Sequence, residues 1–321
     1  MAEITSEMID SIIEDEKKRK IMIEKKVRSY IYMLVPFLVI EAVLIIAFLF
    51  ISIPKALLAI AGSIIADILY FIIMIEIFTA QEMKMQSSAV VSLYKASKRN
   101  RFAAIIDAAP TAEEKLRLYC ENIKNTRNKN DKLSAVEEYL YFLNTMCIDE
   151  DINWIYEELT KIHSKKFITE TGKLHGLLLY FSVKNDNEGF IRTLEENQDL
   201  IRRMWDRALF IKLDILVWCC EYYGIKEDYL KQLEYYDVMV EFRNKASEID
   251  VQYVLTDEML GEIKIDYARI YCRLGKYEEA EKCLREAEEK LANANIPYIK
   301  KFMDETRKML EETYTDNTEG K

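Results

Sequence analysis

Six cysteines (Cys120, Cys147, Cys219, Cys220, Cys272 and Cys283) and two histidines (His163 and His175) are the side chains of this sequence best suited to metal ligation or nucleophilic catalysis. Zinc sites draw on four such ligands at short spacings, commonly with a C-x-x-C pair, and no such pair occurs. Most of the cysteines fall on apolar helix faces, where a free thiol packs as a small hydrophobe in a reducing cytosol. The adjacent Cys219-Cys220 pair is the one redox candidate. His163 falls at a helix end and His175, beside Gly176, in a helical hairpin, so neither pattern points to activation of a cysteine. H-E-x-x-H, G-x-S-x-G, phosphate-loop and kinase patterns are all missing. An enzyme, a metal site and a cofactor are accordingly not expected.

A pair of acids carries more information. Glu41 lies in the apolar run 31–53, and Asp67 in a second run, 56–78, with only Pro54-Lys55 between them. Each run, at 1.5 Å per helical residue, extends about 34 Å, enough for a bilayer core of roughly 30 Å. The tight connection makes them an antiparallel transmembrane hairpin. Counted from Pro54, Glu41 and Asp67 fall at the same depth, roughly 20 Å from the turn. Intramembrane acids are costly and face protein or water. The pair is therefore expected to share one polar site, serving a proton or cation path, a contact to a basic partner helix, or hydrogen-bonded packing or assembly. Ala59, Gly62, Ser63 and Ala66 form overlapping small-xxx-small pairs that let another helix approach closely, from the first span or from a second copy of the chain.

The elements around the hairpin set its orientation. Lys17, Lys18, Arg19, Lys20, Lys25, Lys26 and Arg28 precede the first span, Lys84, Lys95, Lys98, Arg99 and Arg101 follow the second, and the loop has Lys55 alone. That asymmetry places both termini in the cytoplasm of an inner-membrane protein. Met8, Ile9, Ile12 and Ile13 recur at helical spacing among charges, predicting an amphipathic helix within 1–29. Residues 80–109 continue the second span as a juxtamembrane helix. Its Lys95, Lys98, Arg99 and Arg101 form a basic patch suited to anionic lipid headgroups.

Eight glycines and four prolines in 321 residues are about 4%, against a usual share of roughly 12%. So few breakers exclude a sandwich or barrel and predict an all-α chain. The formal net charge of −10 gives no bulk cationic surface for phosphates, so nucleic acid is not an expected partner. Ala108-Ala-Pro110 breaks a helix, and Thr111-Ala-Glu-Glu114 restarts one with a capping-box pattern. From there, turns are expected near Ile148-Asp149, Asn185-Asp186, Tyr223-Gly224 and Leu274-Gly275, with an enlarged segment at 242–256. Hairpins recurring roughly every 40 residues point to an α-solenoid over 110–313, closed by a capping helix from Pro297. A flexible tail is expected over 314–321.

The last hairpin, Tyr267-Ala-Arg-Ile-Tyr-Cys-Arg-Leu-Gly-Lys-Tyr-Glu-Glu-Ala-Glu-Lys-Cys-Leu-Arg-Glu-Ala287, resembles a tetratricopeptide repeat. The likeness rests on Tyr271 before the turn, Gly275 in it, Tyr277 after it, and the small residues Ala268, Ala280 and Ala287. Lys264 stands where the family has tryptophan, and Ala292 where it has its closing proline. The earlier hairpins keep the turn and lose the small residues. The resemblance implies a curved stack with a groove that binds peptides or protein segments. Tyr139/Tyr141, Tyr222/Tyr223 and Tyr235/Tyr236, with Trp154, Trp205 and Trp218, are expected mainly to fill space between helices. Lys161, Lys165, Lys166 and Lys173 read as a solvated helix end. Together these features predict a membrane-anchored scaffold or receptor that recruits a cytosolic protein or peptide. The alternative is an oligomeric membrane effector or channel-like subunit, gated by ligand binding to the helical domain.

Overall fold

Pro110 and Thr111 start the ordered succession of helices as their chemistry requires. Proline disfavours helix in the residue before it: a short helical stretch over 104–108 ends there, and Thr111 caps the next helix by accepting from the Glu114 N–H at 3.1 Å. The computed structural model describes residues 7–22, 24, 25, 28, 46, 102, 104–206, 209–250, 253–294 and 296–319. The chain divides into two compact units with the boundary between Ala103 and Ala104.

In the first unit, residues 7–22 form a helix with Ile9 and Ile13 buried and Met8 exposed. Ion pairs along its surface join Lys18 to Glu14 at 2.8 Å and Arg19 to Glu16 at 2.6 Å. The expected spans 31–53 and 56–78, with Glu41, Asp67, Ala59, Gly62, Ser63 and Ala66, lie outside the described residues apart from residue 46. So do Lys95, Lys98, Arg99 and Arg101. Among the described residues no helix is long and apolar enough to cross a membrane.

The second unit is all-α, with no strand among its described residues. Its helices are α1 (Ala112–Asn125), α2 (Lys129–Met146), α3 (Asn153–Thr160), α4 (Phe167–Val183), α5 (Asn187–Glu196), α6 (Gln198–Trp205), α7 (Leu209–Ile225), α8 (Tyr229–Ser247), α9 (Asp257–Arg273), α10 (Tyr277–Lys290) and α11 (Pro297–Glu319). Neighbours in sequence pack together: α1 on α2, α4 on α5, α7 on α8 and α9 on α10. Between pairs, α2 meets α4, α8 meets α9, and α11 meets α9, α10 and α2. This succession is compatible with a helical repeat. Fully buried rings on α2 (Tyr139), α5 (Phe190) and α8 (Phe242) fill the spaces between them. Truncating such a ring to alanine costs about 3–5 kcal/mol.

The turns show the recurrence most clearly. Cys147, Asn185, Glu227 and Gly275 all have positive φ, at 53°, 53°, 59° and 71°. After each, the next amide donates to the carbonyl five residues back: Ile148 to Leu143 at 3.0 Å, Asp186 to Phe181 at 2.9 Å, Asp228 to Tyr223 at 3.0 Å and Lys276 to Tyr271 at 2.9 Å. This is the Schellman closure of a helix, for which glycine is the natural residue. Three turns match the sequence expectation within a residue or two. The third does not, because α7 runs through Gly224 to Ile225 and Glu227 makes the turn. Asp228, which accepts from the Lys231 N–H at 3.2 Å, is the stronger stop signal because it caps the following helix. Gly224 instead lies where α8 comes close: a Cβ there would sit 2.4 Å from Gln232 Nε2. At the end of the chain α11 continues to Glu319, so the helix extends over most of the expected tail 314–321.

Candidate functional site

Side chains on α2, α4, α7, α9 and α11 meet in one row of acids and aromatic rings within the second unit. On α2, Glu137 and Tyr141 are one helical turn apart and share a face. His175 of α4 stands against both, with Nε2 3.4 Å from the Tyr141 hydroxyl and Nδ1 3.6 Å from Glu137 Oε1. The other side of the imidazole meets the edge of Trp218 on α7, with ring centres 5.7 Å apart. Asp214, one turn before Trp218, and Glu221, nearly one turn after it, extend the row along α7. Glu221 is hydrogen-bonded to Ser182 of α4.

On α9, Asp266 accepts a hydrogen bond from Tyr236 of α8 and feels the charge of Arg269. Tyr267 donates to Asp237, and its ring lies 5.8 Å from that of Tyr236. Arg269 is sandwiched between α9 and α11: its guanidinium stands 3.9 Å over the Phe302 ring and 3.3 Å from Glu305. Tyr298 stacks on Phe302 at 5.1 Å.

Burial dominates the electrostatics of this row. It pushes Asp214 up to about 7 and Asp266 to about 7, the second against the opposing pull of the Tyr236 hydrogen bond and Arg269. It also raises Glu221 and Glu262. Tyr141 is pushed up to about 12 by burial and by the charges of Asp214 and Glu137. His175 moves the other way: at 3.6 Å Glu137 is too distant for a strong pair, and desolvation holds the imidazole below its usual range. The acids nonetheless keep partial solvent access. Near neutral pH the row therefore offers carboxyl groups that a neighbouring cation would ionise, beside tyrosine hydroxyls and ring faces. That is equipment for holding a polar or cationic segment, since aromatic faces also attract cations.

The residues of the α9–α10 hairpin take the places their types require. Ala268, Ala280 and Ala287 are wholly buried, and Tyr271 and Tyr277 are half-buried against the cluster formed by Ala268, Cys272, Ala280, Cys283 and Leu284. Gly275 makes the turn. Lys264, at the early tryptophan position of the resemblance, bridges the hairpin through an ion pair with Glu286 at 2.5 Å. These residues shape the stack and none of them joins the row.

His175 lies within the expected hairpin, but its role as the hinge between α2 and α7 is new. Glu137, Asp214, Glu221, Glu262, Asp266 and Tyr298 were not singled out by the sequence. A usable signal existed on α7, where Asp214 and Glu221 stand two turns apart in a helix whose other charged residue is Lys212. Cys219 and Cys220 are buried and form no disulfide, and burial pushes Cys219 up to about 12 and raises Cys220 well above the usual thiol range, so neither presents a ready thiolate. Among the described residues no group of three His, Cys, Asp or Glu is placed to hold a metal ion. No family model matches the chain, and no curated protein or solved structure matches it.

Proposed function

We propose that this protein is a membrane-anchored helical-repeat receptor that recruits a cytosolic protein, holding a segment of it along the row between α2 and α11. The observation that carries this reading is the chain of neighbours from α2 to α11: Tyr141 to His175, His175 to the buried Trp218, and Tyr298 feeling the charges of Asp266 and Glu221. A repeat stack displays equivalent positions side by side, and an extended segment crossing it meets one helix after another. Deep-set acids beside aromatic rings favour a segment bearing lysine or arginine. The tetratricopeptide likeness of α9–α10 supports the same use, and the apolar runs 31–53 and 56–78 supply the anchor, with both termini in the cytoplasm.

The test is recovery of the full chain from cross-linked native membranes, followed by the same recovery from an Asp214→Arg, Asp266→Arg variant that is still helical and still membrane-bound. One partner in fixed proportion, reduced at least tenfold in the variant, is expected. Equal recovery from both would remove the row from the account.

A further inference from the structure

On the opposite side of α4 from His175 lies a cleft of about 590 Å³ built from the α3–α4 loop, α4 and α6. Lys173 is about 200° around the helix from His175, so the two faces of α4 serve different surroundings. The cleft is lined by His163, Lys165, Lys173 and Arg203, with Glu170 as its one acid. In a chain of net charge −10 this is a local reversal of sign. Its floor is apolar, made by Ile162, Leu174, Leu177 and Leu200.

The cations are held in place to different degrees. Lys173 Nζ donates to the Ile162 carbonyl at 3.0 Å and more weakly to that of Thr160 at 3.4 Å, and desolvation lowers its pKa. Arg203 lies 3.7 Å from Glu170, and its guanidinium stands 6.0 Å from the Phe167 ring centre. Lys165 is exposed at the mouth. Lys129 donates to the His163 carbonyl and adds another positive group at the edge of the loop. The N-terminus of α4 opens beside Ser164 and Lys165. Its cap residue, Lys166, makes no side-chain cap bond; Ser164 Oγ accepts from the Lys166 amide at 3.1 Å, and Glu170 in the first turn is the one acid facing this helix end, itself paired with Arg203.

We infer that this cleft binds a soluble organic phosphate, with the phosphate between Lys165, Arg203 and the start of α4 and an apolar body on Ile162, Leu174, Leu177 and Leu200. Arginine and lysine around a helix start are suited to a phosphate. A volume within the roughly 300–1,000 Å³ range of small-molecule sites admits an organic body as well. The ligand site stands apart from the row, so it does not depend on the receptor reading.

The full chain in mild detergent is titrated with trinitrophenyl-ATP, a fluorescent organic phosphate, with and without inorganic pyrophosphate as competitor. Saturable binding is expected, displaced by pyrophosphate and weakened by added salt. Arg203→Gln and Lys165→Glu are both at exposed positions that leave the fold intact, as circular dichroism checks. At least one of them should weaken binding about tenfold. Lack of saturable binding below about 1 mM, or binding unaltered in both variants, overturns the inference.

Discussion

The hairpins α7–α8 and α9–α10 close with the same backbone geometry and share almost none of the residues that make it. In α9–α10 the turn is Gly275, and the helices meet over Ala268, Ala280 and Ala287, all fully buried. In α7–α8 the turn is Glu227, at a φ of 59° that costs a non-glycine residue about 1–2 kcal/mol, and Tyr223 of α7 stacks on Tyr235 of α8 with ring centres 5.1 Å apart. One hairpin approaches closely along three alanines, whereas the other has a close approach at Gly224, against Gln232, and large rings stacked beside it. The fold conserves the Schellman closure but not the side-chain cap after it, since Asp228 caps α8 and Lys276 makes no side-chain cap bond at α10, while size at the contact is free to vary if neighbouring volumes compensate. Both hairpins also contribute one high-pKa aspartate to the row, Asp214 from α7 and Asp266 from α9.

The sharpest way to break this comparison is to remove its close approach. Ala287→Leu, inserted where Ile265, Leu291 and Ile299 already fill the space, should destabilise the repeat unit by about 3 kcal/mol. Urea unfolding of the full chain in detergent reads this through tryptophan, because Trp154, Trp205 and Trp218 all lie beyond residue 104. A loss below about 1 kcal/mol would mean that α9–α10 is no more tightly packed than its neighbour.

The shared aspartates come next. A carboxyl whose folded pKa is raised binds its proton more tightly in the folded chain, so its stabilising contribution is complete below the unfolded value near 4 and is lost as pH rises towards about 7. His175, with its lowered pKa, has the opposite slope, and comparison with a variant that retains it cancels its effect. Asp214→Asn with Asp266→Asn should therefore gain on the wild type between pH 5 and pH 8, by about 1–3 kcal/mol per aspartate at the upper end, the lower figure allowing for their partial solvent access. Asparagine at 266 keeps an acceptor for Tyr236. A difference independent of pH would contradict the burial of these acids.

The turns give the smallest effects, and of opposite sign. Gly275→Ala, forced to a φ of 71°, should cost about 1 kcal/mol. Glu227→Gly should stabilise by about 0.5–1 kcal/mol, or leave stability unchanged if lost chain freedom offsets the relieved strain. A clear destabilisation by Glu227→Gly would show that the two turns are not equivalent.

These differences explain what could be seen in the sequence. The α9–α10 hairpin was legible residue by residue, because a turn glycine and small residues at two-turn spacing leave a periodic trace. The α7–α8 turn was displaced by three residues, since Gly224 looks like a stop while Glu227 does not, and only Asp228 marks the true boundary. Thr111 and Pro297 were legible as helix starts because capping and proline act locally. The row was not, because it joins Glu137, His175, Asp214 and Asp266 across four helices. Isolated acids in apolar runs drew attention at Glu41 and Asp67, whereas Asp214, two residues from Lys212, drew none, because only tertiary packing assembles its site. The cleft beside α4 was hidden for a related reason: Lys165 and Lys173 look like a solvated helix end until Arg203 arrives from α6.

The central claim is that the row, and not the outer surface, meets a partner. A photo-crosslinking amino acid placed singly at Tyr141, Tyr298, Phe210 or Leu230 in the full chain, in cells, tests it most directly; Phe210 and Leu230 are 50% and 65% exposed. The account predicts one crosslinked protein from Tyr141 and Tyr298, lost on charge reversal at Asp214 and Asp266, and no such product from Phe210 or Leu230. Crosslinks of equal yield from all four positions, or from the outer pair alone, would contradict it.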